Sequence, residues 1–400
     1  MLNDIGRLLK HRSVQTVLVI TMYLLLADFL PTYLQQGFYA LSLFVKDLLL
    51  WTMPLTVCFF IAFTIQGFER KAPLFILVLI LFETVSNMSS VWYAFGSANI
   101  VAGHLPSFVA STLTDQLDPL WRLPLNKPTW WSAQYGVVSG VFIGFIAGLS
   151  KNQKLTHLIT SGKQTMQWLL THVFARLIPI FVLGFVAQIY QTKLLNQVFT
   201  YYSQLVAWLV LFLAIYLVLI FALGAGKNLI ALFSNIKKLL PAGAIALTSG
   251  CSLSTMPWTI EGAAKTLRNP ELAKAIIPAT TNIQQIGDCI ANAFLCFLIF
   301  RHFYGYNPDV TMWLHFSFVF VMARFTTAAV LGGAIFIMLP IYETYLNFNG
   351  EMIAIILALN VVLDPLITSC NVIANGALCR VFEKVWMRIQ SKNVLAATTI

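Results

Sequence analysis

Thr248-Ser249-Gly250-Cys251-Ser252-Leu253-Ser254-Thr255-Met256-Pro257 and Thr326-Thr327-Ala328-Ala329-Val330-Leu331-Gly332-Gly333-Ala334 are two runs of small and polar residues inside the apolar C-terminal half of the chain. Each lies between arms too short to cross a bilayer twice, which is the pattern of a re-entrant hairpin. Non-helical backbone at membrane depth is tolerated only where protein buries its amides and carbonyls, or where a water-filled cavity or a solute satisfies them. The two runs therefore predict a solute-binding site near the middle of a membrane.

Working outward, 58% of the chain is hydrophobic and only 10% charged, with a mean hydropathy of +0.79. That balance excludes a soluble domain and places the chain in the polytopic membrane class. A spanning helix takes about 20 apolar residues, and such stretches occur at 15–33, 37–66, 73–96, 134–150, 165–191 and 203–225, before the interrupted half begins. The expected fold is an all-α polytopic membrane protein with eight transmembrane helices and two re-entrant helical hairpins. Residues 1–12 carry positive charge, but the apolar run from Val14 is too long for a secretory signal and has no small-residue cleavage site, so the first span is expected to be retained.

The net charge of +10 is not massed on one face, so no nucleic-acid partner is expected. Arg7, Lys10 and Arg12, Arg70 and Lys71, Lys151, Lys154 and Lys163, Lys227, Lys237 and Lys238, Lys265, Arg268 and Lys274, and Arg380, Lys384, Arg388 and Lys392 fall on one side in a single consistent threading. Short loops rich in Lys and Arg face the cytoplasm, so both termini are expected there. The connection from Ala98 to Ser132, with Pro106, Pro119, Pro124 and Pro128 and with Trp121, Trp130 and Trp131, is expected outside. Its prolines mark a loop and its tryptophans an interfacial anchor.

Cys58, Cys251, Cys289, Cys296, Cys370 and Cys379 lack ligand spacing and read as small packing residues, with neither zinc nor disulfides expected. The chain contains no His-Glu-x-x-His, no Gly-x-Ser-x-Gly and no Gly-x-x-x-x-Gly-Lys-Ser/Thr. An enzyme and an ATP-driven pump thus lack their signatures, and no cofactor is expected.

From Ile178 onward the order of features resembles the dicarboxylate/amino acid:cation symporters, the family of the glutamate and aspartate transporters. Ile178-Pro179-Ile180 is similar to its Ala-Pro-Ile-Gly segment, and Ser252-Leu253-Ser254-Thr255-Met256-Pro257 to its serine-rich first tip ending in Thr-Leu-Pro. Pro278 to Gly287 stands where that family has Pro-Leu-Gly-Ala-Thr-Ile-Asn-Met-Asp-Gly, and Ala329 to Ala334 where its second tip has Gly-Ile-Pro-Gly-Ala-Gly. The segment Asp364 to Asn375 parallels its eighth-span Asp-Met-x-Arg-Thr-x-x-Asn-Val-x-Gly-Asp. The likeness covers about the last 220 residues in motifs and the first half only in span pattern.

The resemblance implies an elevator-type transporter, a homotrimer embedded in lipid, in a bacterial inner (plasma) membrane. Residues 1–72 and 134–195 would form the scaffold, and 73–97 with 196–390 the transport domain. Residues 98–133 would be the extracellular loop and 391–400 a cytoplasmic tail. It also implies a substrate site built from Ser252, Ser254, Ala328, Ala329, Asp364, Ile367, Thr368 and Asn371. Asp364 stands where the family binds the substrate's α-amino group, and Asn371 where it contacts the α-carboxylate. The alternative for Asp364 is a buried carboxylate paired with a neighbour, although an ionisable residue at mid-membrane is functional by default.

The departures shape the expectation most. Ile367 occupies the position of the arginine that holds an acidic substrate's side-chain carboxylate, and burying an unpaired carboxylate costs several kcal/mol. A neutral amino acid is therefore expected over glutamate or aspartate. Asn360, Asn375 and Ile286 stand in place of sodium-associated aspartates and Gln284 in place of an asparagine, and hard cations gain from anionic oxygen ligands, so sodium affinity is expected to fall. The metal content stays open. The chain gains Glu83, Asp288 and Arg324 within its spans. Arg324 stands where backbone carbonyls hold the family's second sodium, so it either replaces that ion as a tethered cation, paired with Asp288, or snorkels toward the interface. Glu83 either carries a coupling proton or pairs structurally with Thr84, Ser86 or Asn87.

Secondary active symport of a neutral amino acid with a proton is the leading reading. An uncoupled exchanger or facilitator, a sodium-coupled dicarboxylate or amino-acid symporter, and a degenerate sensor or channel remain as alternatives.

Overall fold

The computed structural model describes residues 12–66, 73–103, 117–123, 128, 130–131, 133–150, 152–191, 195–250, 252–281, 283–327 and 334–398. The elements in these residues are helical throughout, as a chain must be whose backbone polar groups have no water to turn to. In order they are α1 (Arg12–Leu26), α2 (Thr32–Gln66), α3 (Pro73–Ala102), α4 (Ala133–Ser150), α5 (Gln153–Trp168), α6 (Ala175–Gln191), α7 (Leu195–Ala225), α8 (Leu229–Ser249), α9 (Ser252–Ala264), α10 (Glu271–Thr280), α11 (Ile286–Tyr304), α12 (Val310–Thr327), α13 (Ala334–Leu346) and α14 (Gly350–Thr398). A short 3₁₀ turn at Ala27–Phe29 follows α1, and a π-helical turn at Leu169–Phe174 joins α5 to α6.

Among the described residues, Leu77–Ala102, Gln204–Ala225, Leu229–Leu247, Ile286–Tyr304 and Val362–Ser391 are long and apolar enough to cross a membrane. The protein is a polytopic, all-helical membrane protein. Two boundaries differ from expectation. The apolar stretch at 165–191 is helical but carries a π turn at Leu169–Phe174, and it is preceded by an amphipathic helix, α5, whose Thr156, His157, Ser161, Lys163 and Gln164 lie before that stretch. The first arm of the first interruption, α8, is also long enough to span on its own, while its return arm α9 has 13 residues.

The chain forms two compact units. One comprises residues 1–67, 98–206 and 295–362. Within it α4 lies flush against α2, since a Cβ on Gly136 or Gly140 would stand 2.4 Å from the Pro54 carbonyl oxygen or 2.7 Å from that of Cys58. Small residues four apart let helix backbones approach this closely in lipid. Trp131 donates its indole N–H to the Trp51 carbonyl at 2.8 Å, tying the loop before α4 to α2. Asn152 caps α5 by accepting from Lys154 N at 3.0 Å, which turns Ile159 onto Ala62 and Ala147. α12 and α13 pack on each other through Phe316, Phe320 and Tyr342.

The other unit comprises residues 68–97, 207–294 and 363–400. Its core joins Leu79 of α3 to Ala263 of α9, Ala273, Ile276 and Ile277 of α10, and Cys379 and Phe382 of α14. Phe75 meets the Phe382 ring edge-on at 5.4 Å and that of Trp386 at 5.0 Å. α8 lies along α14, where Ser369 donates its hydroxyl to the Gly243 carbonyl at 2.8 Å and Val372 packs on Ala242 and Ala246.

Candidate functional site

The site starts from two breaks in helical backbone in the second unit. The first follows α8, where Gly250 takes a left-handed conformation (φ 59°) and donates its N–H to the Ala246 carbonyl at 2.9 Å. Gly is the residue that adopts this cap without strain. The cap turns the chain into α9, where Thr255 donates its hydroxyl to the Ser252 carbonyl at 2.9 Å. The second break lies between α10 and α11, where Ile283 and Gln284 both donate their N–H groups to the Thr280 carbonyl at 2.8 Å.

Asn87 on α3 satisfies that second break from both sides. Its Nδ2 donates to the Ile283 carbonyl at 2.9 Å and its Oδ1 accepts from Gln285 N at 3.2 Å. With its amide oriented to satisfy both atoms, Gln284 donates to the Asn371 carbonyl at 3.0 Å and accepts from Ile286 N at 3.3 Å. Thr280 donates to Asn375 Oδ1 at 2.7 Å, which ties the end of α10 to α14.

At the start of α11 the close approach of α14 needs Gly287. A Cβ there would lie 2.5 Å from the Ile367 carbonyl oxygen, 2.9 Å from Cys370 Cβ and 3.0 Å from Asn371 Oδ1. This contact sets Asp288 over Asn371. Asn371 Nδ2 donates to Asp288 Oδ2 at 2.7 Å, Asp288 N donates to Asn371 Oδ1 at 3.3 Å, and Asn292 Nδ2 donates to the Asp288 carbonyl at 3.0 Å. Asp364, beside Pro365, points a carboxylate oxygen to within 4.0 Å of the Cβ position of Gly250. Pro365 lacks an N–H, so the helix ladder is interrupted next to this carboxylate. The charge of Asp288 acts on Asp364.

The structure therefore assembles Asp364, Asn371, Asp288 and Gln284 with the first tip in one unit. Ser252 is half-buried there, and Ile367 and Thr368 are buried. Ser254 lies within α9, and Ala328 and Ala329 lie outside the described residues. Arg324 and Asn360 belong to the other unit. Arg324 is fully buried, with its guanidinium carbon 4.6 Å from the centre of the Phe320 ring, and Asn360 donates to the Ile356 carbonyl at 2.9 Å. Glu83 is 1% exposed, and its Oε2 has no hydrogen-bond partner. Cys379 of α14 interacts with it electrostatically.

Sequence reading weighed Asn87 as a partner of Glu83, and the structure commits Asn87 to the 281–285 break instead. It passed over Asn292. The available signal was spacing, since Asn292 lies four residues beyond Asp288 and Asn87 four beyond Glu83, on the same helix faces.

Apolar helices around a polar, broken-helix interior define an integral membrane solute carrier. The model of the sodium:dicarboxylate symporter family matches residues 136–385, more than half the chain. The chain belongs to that family, whose members are membrane symporters. A comparison with curated proteins yields no match.

Proposed function

We propose that the protein is a secondary active transporter of a neutral amino acid, driven by protons and working by an elevator mechanism, with both termini in the cytoplasm. One observation supports this most directly: Asp288 is hydrogen-bonded to Asn371 and its charge acts on Asp364 beside the first tip, and between Asp364 and Asn371 on α14 lies the buried alkyl side chain of Ile367. Two carboxylates favour a cationic group between them by Coulomb attraction, as an α-ammonium provides. They oppose a substrate with a second carboxylate, which here would meet isoleucine in place of a guanidinium. In this reading Asp364 takes the ammonium, and the amides at the first tip together with Ser252 and Asn371 take the α-carboxylate.

Proton coupling rests on what the other polar positions do. Asn375, Gln284 and Asn360 spend their amides on protein partners, and Ile286 offers no side-chain oxygen. Glu83 is a buried carboxyl with an unpartnered Oε2, and a desolvated carboxyl is able to carry a proton in place of a metal ion. The family description favours a second reading, sodium-coupled dicarboxylate symport. Proteoliposomes discriminate the two. Concentrative uptake of a neutral amino acid under an inward proton gradient, without sodium, is expected; accumulation of aspartate only under a sodium gradient would replace this reading with the second.

A further inference from the structure

Arg268, Arg380, Lys384, Met387, Arg388 and Ser391 line a cavity of about 450 Å³ in the second unit. It lies where three segments meet. Lys384 on α14 donates its ammonium to the Leu223 carbonyl at 2.8 Å, in the last turn of α7, where a cation also suits the helix dipole. The loop between α9 and α10 is drawn to α14 by Glu383, which accepts from Arg268 N at 3.2 Å and Asn269 N at 2.8 Å. Glu383 is 1% exposed and also pairs with Arg380. Glu383 thus fixes Arg380 and the backbone of Arg268, the Leu223 carbonyl fixes Lys384, and these three line one space with Arg388.

That arrangement leaves positive charge in excess. Glu383 is committed to Arg380 and to two backbone amides, while Arg268, Arg380 and Arg388 all bear repulsively on Lys384. Like charges held together by the fold are relieved by a bound anion. Guanidinium forks suit phosphate oxygens, with two parallel N–H donors each, and basic pockets among membrane helices take acidic headgroups. With about 30 Å³ per water in the liquid, the cavity has room for a phosphate and the glycerol attached to it, and Met387 offers that end an apolar wall.

We propose that the pocket of Arg268, Arg380, Lys384 and Arg388 binds a phosphate-bearing anion, the headgroup of an acidic phospholipid at the end of α14. The site is separate from the substrate residues, and its test does not depend on transport. The full chain is delipidated in detergent and titrated with phosphatidylglycerol, phosphatidylcholine and inorganic phosphate, with binding counted by native mass spectrometry and followed by melting temperature. Arg268→Gln with Lys384→Gln is the test variant, because removing Arg380 would strand the buried carboxylate of Glu383. Lys265→Gln with Lys274→Gln removes the same formal charge from surface pairs with Glu261 and Glu271 and serves as the control. Phosphatidylglycerol is expected to bind the wild type in preference to phosphatidylcholine, and the test variant to bind it roughly thirtyfold more weakly, with the control unchanged. Inorganic phosphate binding with equal dependence on Arg268 and Lys384, and no preference among lipids, would support the site but assign a free anion as its occupant. Equal weakening in the control, or no binding of either phosphate source, would overturn the proposal.

Discussion

Replacing Gly287 by alanine tests whether the α11–α14 contact builds the site. The new Cβ would stand 2.5 Å from the Ile367 carbonyl oxygen, about 0.9 Å inside the 3.4 Å at which ordinary contact begins. The obstacle is backbone rather than a movable side-chain end, so relief requires the two helices to part. Parting by that amount along the line between them would stretch the Asn371 Nδ2 to Asp288 Oδ2 bond from 2.7 Å to beyond hydrogen-bonding reach. Overpacking costs about 1–3 kcal/mol, and a lost hydrogen bond to a charged group about 1.5–3 kcal/mol. We therefore expect Gly287→Ala to lower the melting temperature and to weaken substrate binding at least tenfold, which about 1.4 kcal/mol suffices to do. Gly96→Ala is the control: nothing lies within 4 Å of its Cβ position, and in the same unit it should stabilise helix α3 by about 0.5–1 kcal/mol. Calorimetric titration of the transported amino acid and thermal melting of both variants are the assays. If Gly287→Ala melts and binds like wild type, the helices are not in the contact described and Asp288 is not held over Asn371.

Asp364→Asn should weaken binding of a neutral amino acid by about ten- to a hundredfold, because one charge-assisted hydrogen bond to the ammonium contributes about 1.5–3 kcal/mol; unchanged affinity in folded protein removes Asp364 from the site. Glu83→Gln mimics a permanently protonated carboxyl and should keep substrate exchange while losing proton-driven accumulation in proteoliposomes. Undiminished accumulation in that variant, or binding in wild type that requires sodium, refutes the assignment of Glu83. Glu383→Ala should destabilise the fold by about 1–3 kcal/mol, since it takes the acceptor from the amides of Arg268 and Asn269 and from the half-buried Arg380; a melting temperature equal to wild type would show that the carboxylate does not hold the loop to α14.

The sequence by itself determined the class of protein, its helical character and the break at Gly250; most of the second interruption, 328–333, lies outside the described residues. These properties are local. A run of apolar residues declares a span because burial in lipid depends on composition over about 20 residues, and Gly250 among serines and threonines declares a turn because of what a glycine backbone can do. The family motifs in the last half of the chain were legible for the same reason, as order and spacing along one strand of sequence. Local reading found the apolar stretch at 165–191 but not the π turn at Leu169–Phe174 inside it.

Only the tertiary structure decided which polar groups meet. Asp288 and Asn371 are 83 residues apart and Asn87 and Gln285 are 198 apart, yet each pair is brought within hydrogen-bonding distance. No periodicity reports such pairings, because in a medium without water a polar group is satisfied by whichever partner the packing of helices delivers. Packing gave Asn87 to the broken backbone at 281–285 rather than to Glu83, leaving Glu83 Oε2 without a partner. It likewise turned Glu383, one acidic residue among many basic ones in the sequence, into the anchor that gathers Arg268 and Arg380 at a single place.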